Sequence, residues 1–156
     1  MSVVCISGGF DPIHIGHLNL IDGASQYGDV IVILNSDEWL KRKKGYCFMP
    51  YEQRARMLYA VKGVIDVVPV DDTDRTVCEA LKRIKPNYFA NGGDRTAENT
   101  PELAVCTDYG IKPLWGIGGG KVASSSELIK TANSQITCID ANGNMKELYK
   151  KPWEND

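Results

Sequence analysis

Five short apolar runs, at residues 3–6, 30–34, 64–70, 88–90 and 114–117, punctuate this chain, with helical patterns between them. Runs that stay apolar at consecutive positions read as strands buried on both faces. Such strands alternating with helices imply a parallel sheet covered on both sides. The helical stretches have legible ends. Leu18, Ile21 and Ala24 face one way until Gly28; Tyr51, Ala55, Leu58 and Val61 form a second stripe closed by Gly63. Val77, Leu81 and Ile84 form a third, halted at Lys85-Pro86. Thr100-Pro101-Glu102 reads as an N-cap, a first-turn proline and an acid, opening a helix that Gly110 ends. Ser124 and Glu127 have capping-box spacing for a fifth helix. With 43% hydrophobic residues, one domain is expected over residues 1–133 of the 156, and a domain of this size buries roughly 70% of its unfolded surface. Residues 134–156 break the alternation and read as a C-terminal extension, a hairpin closed by Asn142-Gly143.

The first apolar run leads straight into Gly8-Gly9-Phe10-Asp11-Pro12-Ile13-His14-Ile15-Gly16-His17, where the first helix begins. Glycines let backbone N–H groups approach a ligand, and a new helix offers unpaired N–H groups to an anion. His14 and His17, the chain's only two histidines, add side-chain donors there. Ligands of parallel sheets bind beyond the carboxyl ends of the strands, where these glycines fall. The turn therefore reads as a phosphate-handling site. Each signal also has a plainer reading. A histidine pair at this spacing suits a metal, yet no third tetrahedral ligand stands nearby in sequence. The basic run of residues 41–44 is by itself a solvated loop, Gly92-Gly93-Asp94 is a turn signal, and Ser124 with Glu127 is fully explained as a cap. Residues 71–74 are acidic enough to suggest a cation site, but the plainer reading, a solvated loop donating the next cap, is preferred.

A formal net charge of −2 gives no global attraction to nucleic acid or anionic lipid. No apolar stretch reaches spanning length, and no basic-then-apolar leader opens the chain. Cys5, Cys47, Cys78, Cys106 and Cys138 are scattered without a C-x-x-C pair, so reduced thiols and a cytoplasmic location are expected.

Residues 8–17 resemble the H-x-G-H motif of the nucleotidyltransferase superfamily, with His14-Ile15-Gly16-His17 spelling the signature shared with class I aminoacyl-tRNA synthetases. A synthetase would need an anticodon-binding region and a K-M-S-K-S-like loop, and this sequence shows neither. Asn35-Ser36-Asp37 with the basic run resembles the heptose-phosphate adenylyltransferases. The same run followed by Tyr51-Glu52-Gln53-Arg54 resembles the glycerol-3-phosphate cytidylyltransferases. Gly92-Gly93-Asp94 and residues 123–126 match further motifs of both groups in the right order. The resemblance implies an α/β, single-domain, Rossmann-like fold: a doubly wound five-stranded parallel sheet with helices on both faces. It also implies transfer of a nucleoside monophosphate from a nucleoside triphosphate to a phosphorylated small acceptor, such as a polyol or sugar phosphate, releasing pyrophosphate. CTP is narrowly favoured over ATP. A non-catalytic nucleotide-binding module is the remaining alternative. By the same resemblance His14, His17, Lys41 and Lys43 are the catalytic residues, the lysines reaching phosphate from a loop after the second strand. Gly8, Gly9, Phe10, Asp11, Gly16, Gly92, Gly93, Asp94, Ser124, Ser125 and Ser126 would hold the nucleotide. Arg54, Tyr46 and Trp39 would hold the acceptor. Mg²⁺ would bind mainly through the triphosphate, no protein metal ligands being assigned, and the resemblance leaves room for a homodimer. The glycine-rich residues 116–121 are expected to form a mobile loop that carries Lys121 over the triphosphate.

Overall fold

The computed structural model describes residues 2–93 and 95–134, together with the backbone of residues 137–139 and 145–147. The apolar runs become β1 (Val3–Gly8), β2 (Asp29–Leu34), β3 (Val64–Val68), β4 (Tyr88–Ala90) and β5 (Lys112–Leu114), in one parallel sheet of order β3-β2-β1-β4-β5. β1 lies at the centre, with Val4 level with Val30 on one side and Tyr88 on the other. Strand side chains alternate between faces, and the two cores follow that alternation. Val4, Ile6, Val30, Val32 and Leu34 pack with Ile21 and Ala24 of α1 (Ile15–Ser25) and Leu58 of α3 (Tyr51–Tyr59). Cys5, Ile33 and Phe89 face the other way, onto Ala80 and Leu81 of α4 (Cys78–Ile84) and Val105 and Cys106 of α5 (Leu103–Tyr109). Each fully buried aliphatic side chain here contributes about 1.5–3 kcal/mol. The doubly wound parallel sheet expected from the sequence is the observed one.

Three local expectations are corrected. The basic run is not a loop. It is the last turn of α2 (Asp37–Lys44), where Ser36 Oγ caps Trp39 N–H at 3.0 Å and Gly45 closes the helix at φ +83°. Asp37 and Glu38 at its start and four bases at its end suit the helix dipole. Only Leu40 is buried, so no apolar stripe announces the helix. The expected N-cap Thr100 is buried instead, and α5 starts three residues later. Glu102 precedes that start, but its carboxylate accepts from Val77 N–H, ahead of α4, at 3.2 Å. The fifth strand comes earlier than residues 114–117, because Gly116 turns the chain at φ +65° and Ile117 packs against the first core from a loop.

After that loop α6 (Ser125–Ser134) begins, and β6 (Thr137–Ile139) then pairs antiparallel with β7 (Met145–Glu147). The Asn142-Gly143 turn lies outside the described residues.

Candidate functional site

The sheet order reverses between β1 and β4, and the carboxyl ends of those two strands carry Gly8-Gly9 and Gly92-Gly93. Between them opens a cleft of about 420 Å³, the expected crevice of such a sheet. The glycines serve close packing as well as access. A Cβ on Gly9 would lie 2.6 Å from Leu40 Cδ2 of α2, and one on Gly93 would lie 2.8 Å from the Gly119 carbonyl oxygen. Phe10 follows at φ +50°, a left-handed conformation costly for a bulky residue, which its buried ring (3% exposed) holds in place.

His14 is the N-cap of α1 and His17 its third residue, and the two form a reciprocal cap. His14 Nδ1 accepts from Gly16 N–H, and His17 Nδ1 accepts from His14 N–H, both at 3.1 Å. The rings stack with centroids 3.7 Å apart, and Phe10 lies 4.6 Å from the His17 ring. Glycine at position 16 leaves room for the His14 ring, since a Cβ there would meet His14 Cε1 at 2.9 Å and force it to shift. Burial lowers the His17 pKa to about 3, helped by the His14 ring and Lys44; burial, Lys44 and Lys121 lower that of His14. Both rings are therefore neutral near pH 7. With Nδ1 accepting, each carries its proton on Nε2, where it can donate.

Around this pair the cleft is lined by Lys43, Lys44, Arg75, Arg95 and Lys121, with Glu102 as its one acidic residue among those described. A local cationic field thus sits in a chain of net charge −2. Burial lowers the Lys44 pKa, with Asp11 opposing. Ser124, Ser125 and Ser126 close the far side. Ser124 Oγ accepts from Glu127 N–H at 3.4 Å, and the buried Ser125 Oγ donates to the Pro12 carbonyl at 2.8 Å. The loop expected to be mobile is packed at its start. Ile117 N–H donates to the Asn91 carbonyl at 3.0 Å, and a Cβ on Gly118 would lie 2.7 Å from Leu20 N of α1.

Several anticipated residues stand elsewhere. Lys41 is exposed and does not line the cleft; Lys44, one helical turn nearer to Gly45, does. Arg54 is fully buried and cannot fork an acceptor phosphate. Its nitrogens donate to the Met49 carbonyl at 2.8 Å, to the Gly9 and Asn35 carbonyls at 2.9 Å, and to the Asp37 carboxylate. It ties together the ends of β1 and β2, which is structural work. Asp11 is likewise buried and does not line the cleft, its two oxygens accepting from Phe48 and Met49 N–H at 2.6 Å each. Tyr46 does not line the cleft, Trp39 does, and Asp94 lies outside the described residues. Sequence reading missed Arg75, Arg95 and Glu102. The acidic stretch is not solvated throughout: Asp72 is a buried carboxylate that accepts from Ser36 N–H and Ser36 Oγ at 2.8 Å and so fixes the start of α2. Cys5 and Cys106 are held protonated by burial, their pKa values raised to about 12 and about 11.

This sheet and this cleft define a doubly wound α/β protein with a cationic crevice at its switch point, and comparison with known proteins narrows it. The family model described as cytidylyltransferase-like matches residues 5–116, and the chain belongs to that family of nucleotidyltransferases. The bifunctional protein HldE of Gluconobacter oxydans is 35% identical over 113 residues, 70% of this chain and 23% of that protein. The FAD synthase of Pyrococcus abyssi is 37% identical over 94 residues, 59% of this chain and 63% of its own length. The chain thus spans only part of the curated relatives it matches. A lipopolysaccharide core biosynthesis protein from Thermoplasma volcanium shares the fold at a TM-score of 0.63 and 18% identity, covering 74% of this chain and 95% of that one. Among the described residues no helix is long and apolar enough to cross a membrane.

Proposed function

We propose that this chain transfers a nucleoside monophosphate from a nucleoside triphosphate to a phosphorylated small acceptor. The observation that carries this reading is the pair of neutral, stacked histidines at a helix N-terminus, inside a cation-lined cleft at the sheet's switch point. An acceptor phosphate oxygen attacks the α-phosphorus as the bond from that phosphorus to the bridging oxygen breaks. Pyrophosphate leaves with the electron pair, and no proton transfer is needed. Charge grows on the equatorial oxygens and the leaving group. Neutral Nε2–H donors and fixed ammonium groups stabilise that charge without covalent chemistry. Lys43, Lys44 and Lys121 are proposed to hold the triphosphate, and the helix start at Ser124–Ser126 its terminal phosphate.

Mg²⁺ is proposed to enter on the nucleotide, lending charge neutralisation. Phosphate oxygens and water are proposed to supply most of its ligands, as is usual for this ion. The four described cysteines are free thiols, which supports a cytoplasmic setting. For the nucleotide we put ATP first. The FAD synthase relative, whose product by name carries adenine, supports it. CTP is the second reading, favoured by the Tyr-Glu-x-Arg motif at residues 51–54 and by the family description. The test is calorimetric titration of ATP, CTP, GTP and UTP, followed by pyrophosphate release with glycerol 3-phosphate, glucose 1-phosphate and FMN. Tight binding of one triphosphate and release with one acceptor are expected. Binding without release would make the chain a non-catalytic module, and absence of binding would sink the reading.

A further inference from the structure

Three aspartates stand in the turn ahead of α4, and their carboxylates do different work. Asp71 Oδ1 accepts from Thr73 N–H at 3.2 Å and from Thr73 Oγ1 at 2.8 Å. Asp74 Oδ1 accepts from Thr76 N–H and Thr76 Oγ1, both at 2.9 Å. Those two shape their own turn. Asp72 is buried and spends its carboxylate on a distant segment instead. Its Oδ2 accepts from Asn35 Nδ2 at 3.1 Å and Ser36 N–H at 2.8 Å, and its Oδ1 from Ser36 Oγ at 2.8 Å. An ionised carboxylate accepts on both oxygens and so satisfies all three donors.

The same residue holds α2 a second time, near its other end. Arg42 Nη2 donates to the Asp72 carbonyl at 2.8 Å and stands 3.8 Å from Oδ1. Ser36 and Arg42 are about 9 Å apart along the axis, and two attachments fix a direction as one does not. From there the contacts run on to the cleft. Ser36 Oγ accepts from Trp39 N–H at 3.0 Å, and Lys43 Nζ lies 4.6 Å from the centroid of the Trp39 ring. Trp39, Lys43 and Lys44 line the cleft, and Asp72 does not. With Leu40 as its one buried side chain, α2 has little apolar packing to aim it. A helix loosened by about 10° at Ser36 would carry Lys43 about 2 Å from its place, and misplacement by about 1 Å can cost about 10²-fold.

Resting on the transfer reading above, we propose that Asp72 is a positioning residue for the reaction, which aims Lys43 and Lys44 at the triphosphate from outside the cleft. It touches no substrate and takes no part in the bond exchange. Two consequences set this role apart from general support of the fold. Removing a negative charge beside a cationic cleft would by itself tighten a polyanion, whereas loss of aim weakens it. Loss of aim also matters only while the lysines of α2 are present, and Lys121 reaches the cleft from another element, the loop after β5.

The test is a set of double-mutant cycles read by calorimetric titration of inorganic tripolyphosphate at low salt. That probe senses the cations whatever base or acceptor the enzyme takes. Asp72→Asn is expected to weaken its binding about tenfold, and to do the same in a Lys121→Ala background. In a Lys43→Ala/Lys44→Ala background the same change is expected to cost less than about twofold. Ser36→Gly cuts the link from the other end and leaves an acceptable N-cap. It is expected to give the same pattern, and it stands in should Asp72→Asn fail to fold. Unchanged or tighter binding would overturn the proposal, as would a parent protein that does not bind the probe. So would an equal loss in the background lacking both lysines, which would mark a merely structural role. Pyrophosphate release is measured separately. The coupled pattern in a parent protein that releases none would keep Asp72 as the residue that aims the lysines at phosphate and would sink the transfer reading.

Discussion

Two imidazole rings stacked 3.7 Å apart cannot both carry charge cheaply, and here each gives its Nδ1 to a backbone N–H. The pair thus trades basicity for fixed aim, which suits donors waiting for charge to develop. His14→Asn separates the two roles of that residue. Asparagine is a good N-cap, so the melting temperature should change little, but it has no donor where Nε2 stands. Turnover is expected to fall about 10²–10³-fold, as when a donor to developing charge is removed elsewhere. Steady-state kinetics beside a thermal melt checks this, and turnover within threefold of the parent would remove the histidine from the chemistry. The motif was legible at this scale because its glycines and histidines have few other uses at a strand end. Its acid was not. Asp11 sits in the middle of the motif yet points at Phe48 and Met49, whose positions depend on a turn 37 residues away that no local pattern reveals. Arg54 misled for the same reason, a guanidinium being equally suited to a phosphate and to several carbonyls.

At the scale of elements, strands and most helices were readable because burial imposes period and apolarity. α2 escaped because it buries one side chain and owes its ends to a serine cap, charge order and Gly45. Its cap depends in turn on Asp72, a tertiary partner. The loop after β5 was equally opaque, since a glycine run looks the same whether it moves freely or packs closely. Here φ and space decide. Gly116 and Gly118 both have positive φ, at +65° and +84°, but only Gly118 also lies against α1, where a Cβ would come within 2.7 Å of Asn19 C. Alanine at either position should cost the backbone strain, about 1–3 kcal/mol. Gly118→Ala has in addition to push the loop off α1. It is expected to melt lower than Gly116→Ala by several degrees, at about 2–4 °C per kcal/mol for a chain of this size. It should also weaken triphosphate binding, because Lys121 and the serines are carried on the same segment. Equal melting temperatures for the two variants would mean that the loop does not rest on the helix.

For the whole molecule, the net charge of −2 conceals a cationic cleft and a neutral histidine pair, and the cost of keeping that pair neutral falls on the fold. An unfolded histidine titrates near pH 6.5, whereas His17 in the fold titrates near 3 and His14 also below its ordinary value. Between those limits the unfolded chain binds more protons than the folded one, so stability rises with pH across the window and drains away as pH falls from about 6.5 toward 3. Each such proton contributes a slope of up to about 1.4 kcal/mol per pH unit. Asp37 titrates below its ordinary 3.8: burial alone would raise it, but hydrogen bonds from Arg54 and Cys47 more than offset that. Its share of stability is present above 3.8 and lost only at lower pH. The upper part of the acid loss therefore belongs to the histidines. Urea unfolding at pH 7.5, 6.0, 5.0 and 4.5 is expected to show a steady fall in stability that sets in below about pH 6.5, where the unfolded histidines take up protons. His17→Gln should flatten that fall. Glutamine at the third helical position reaches back to the N-cap N–H as His17 does, so the reciprocal cap survives without a group to protonate. A parent protein equally stable at pH 7.5 and 4.5 would show the rings to be free to charge in place. The rings proposed to donate to phosphate would then be cations at mildly acidic pH.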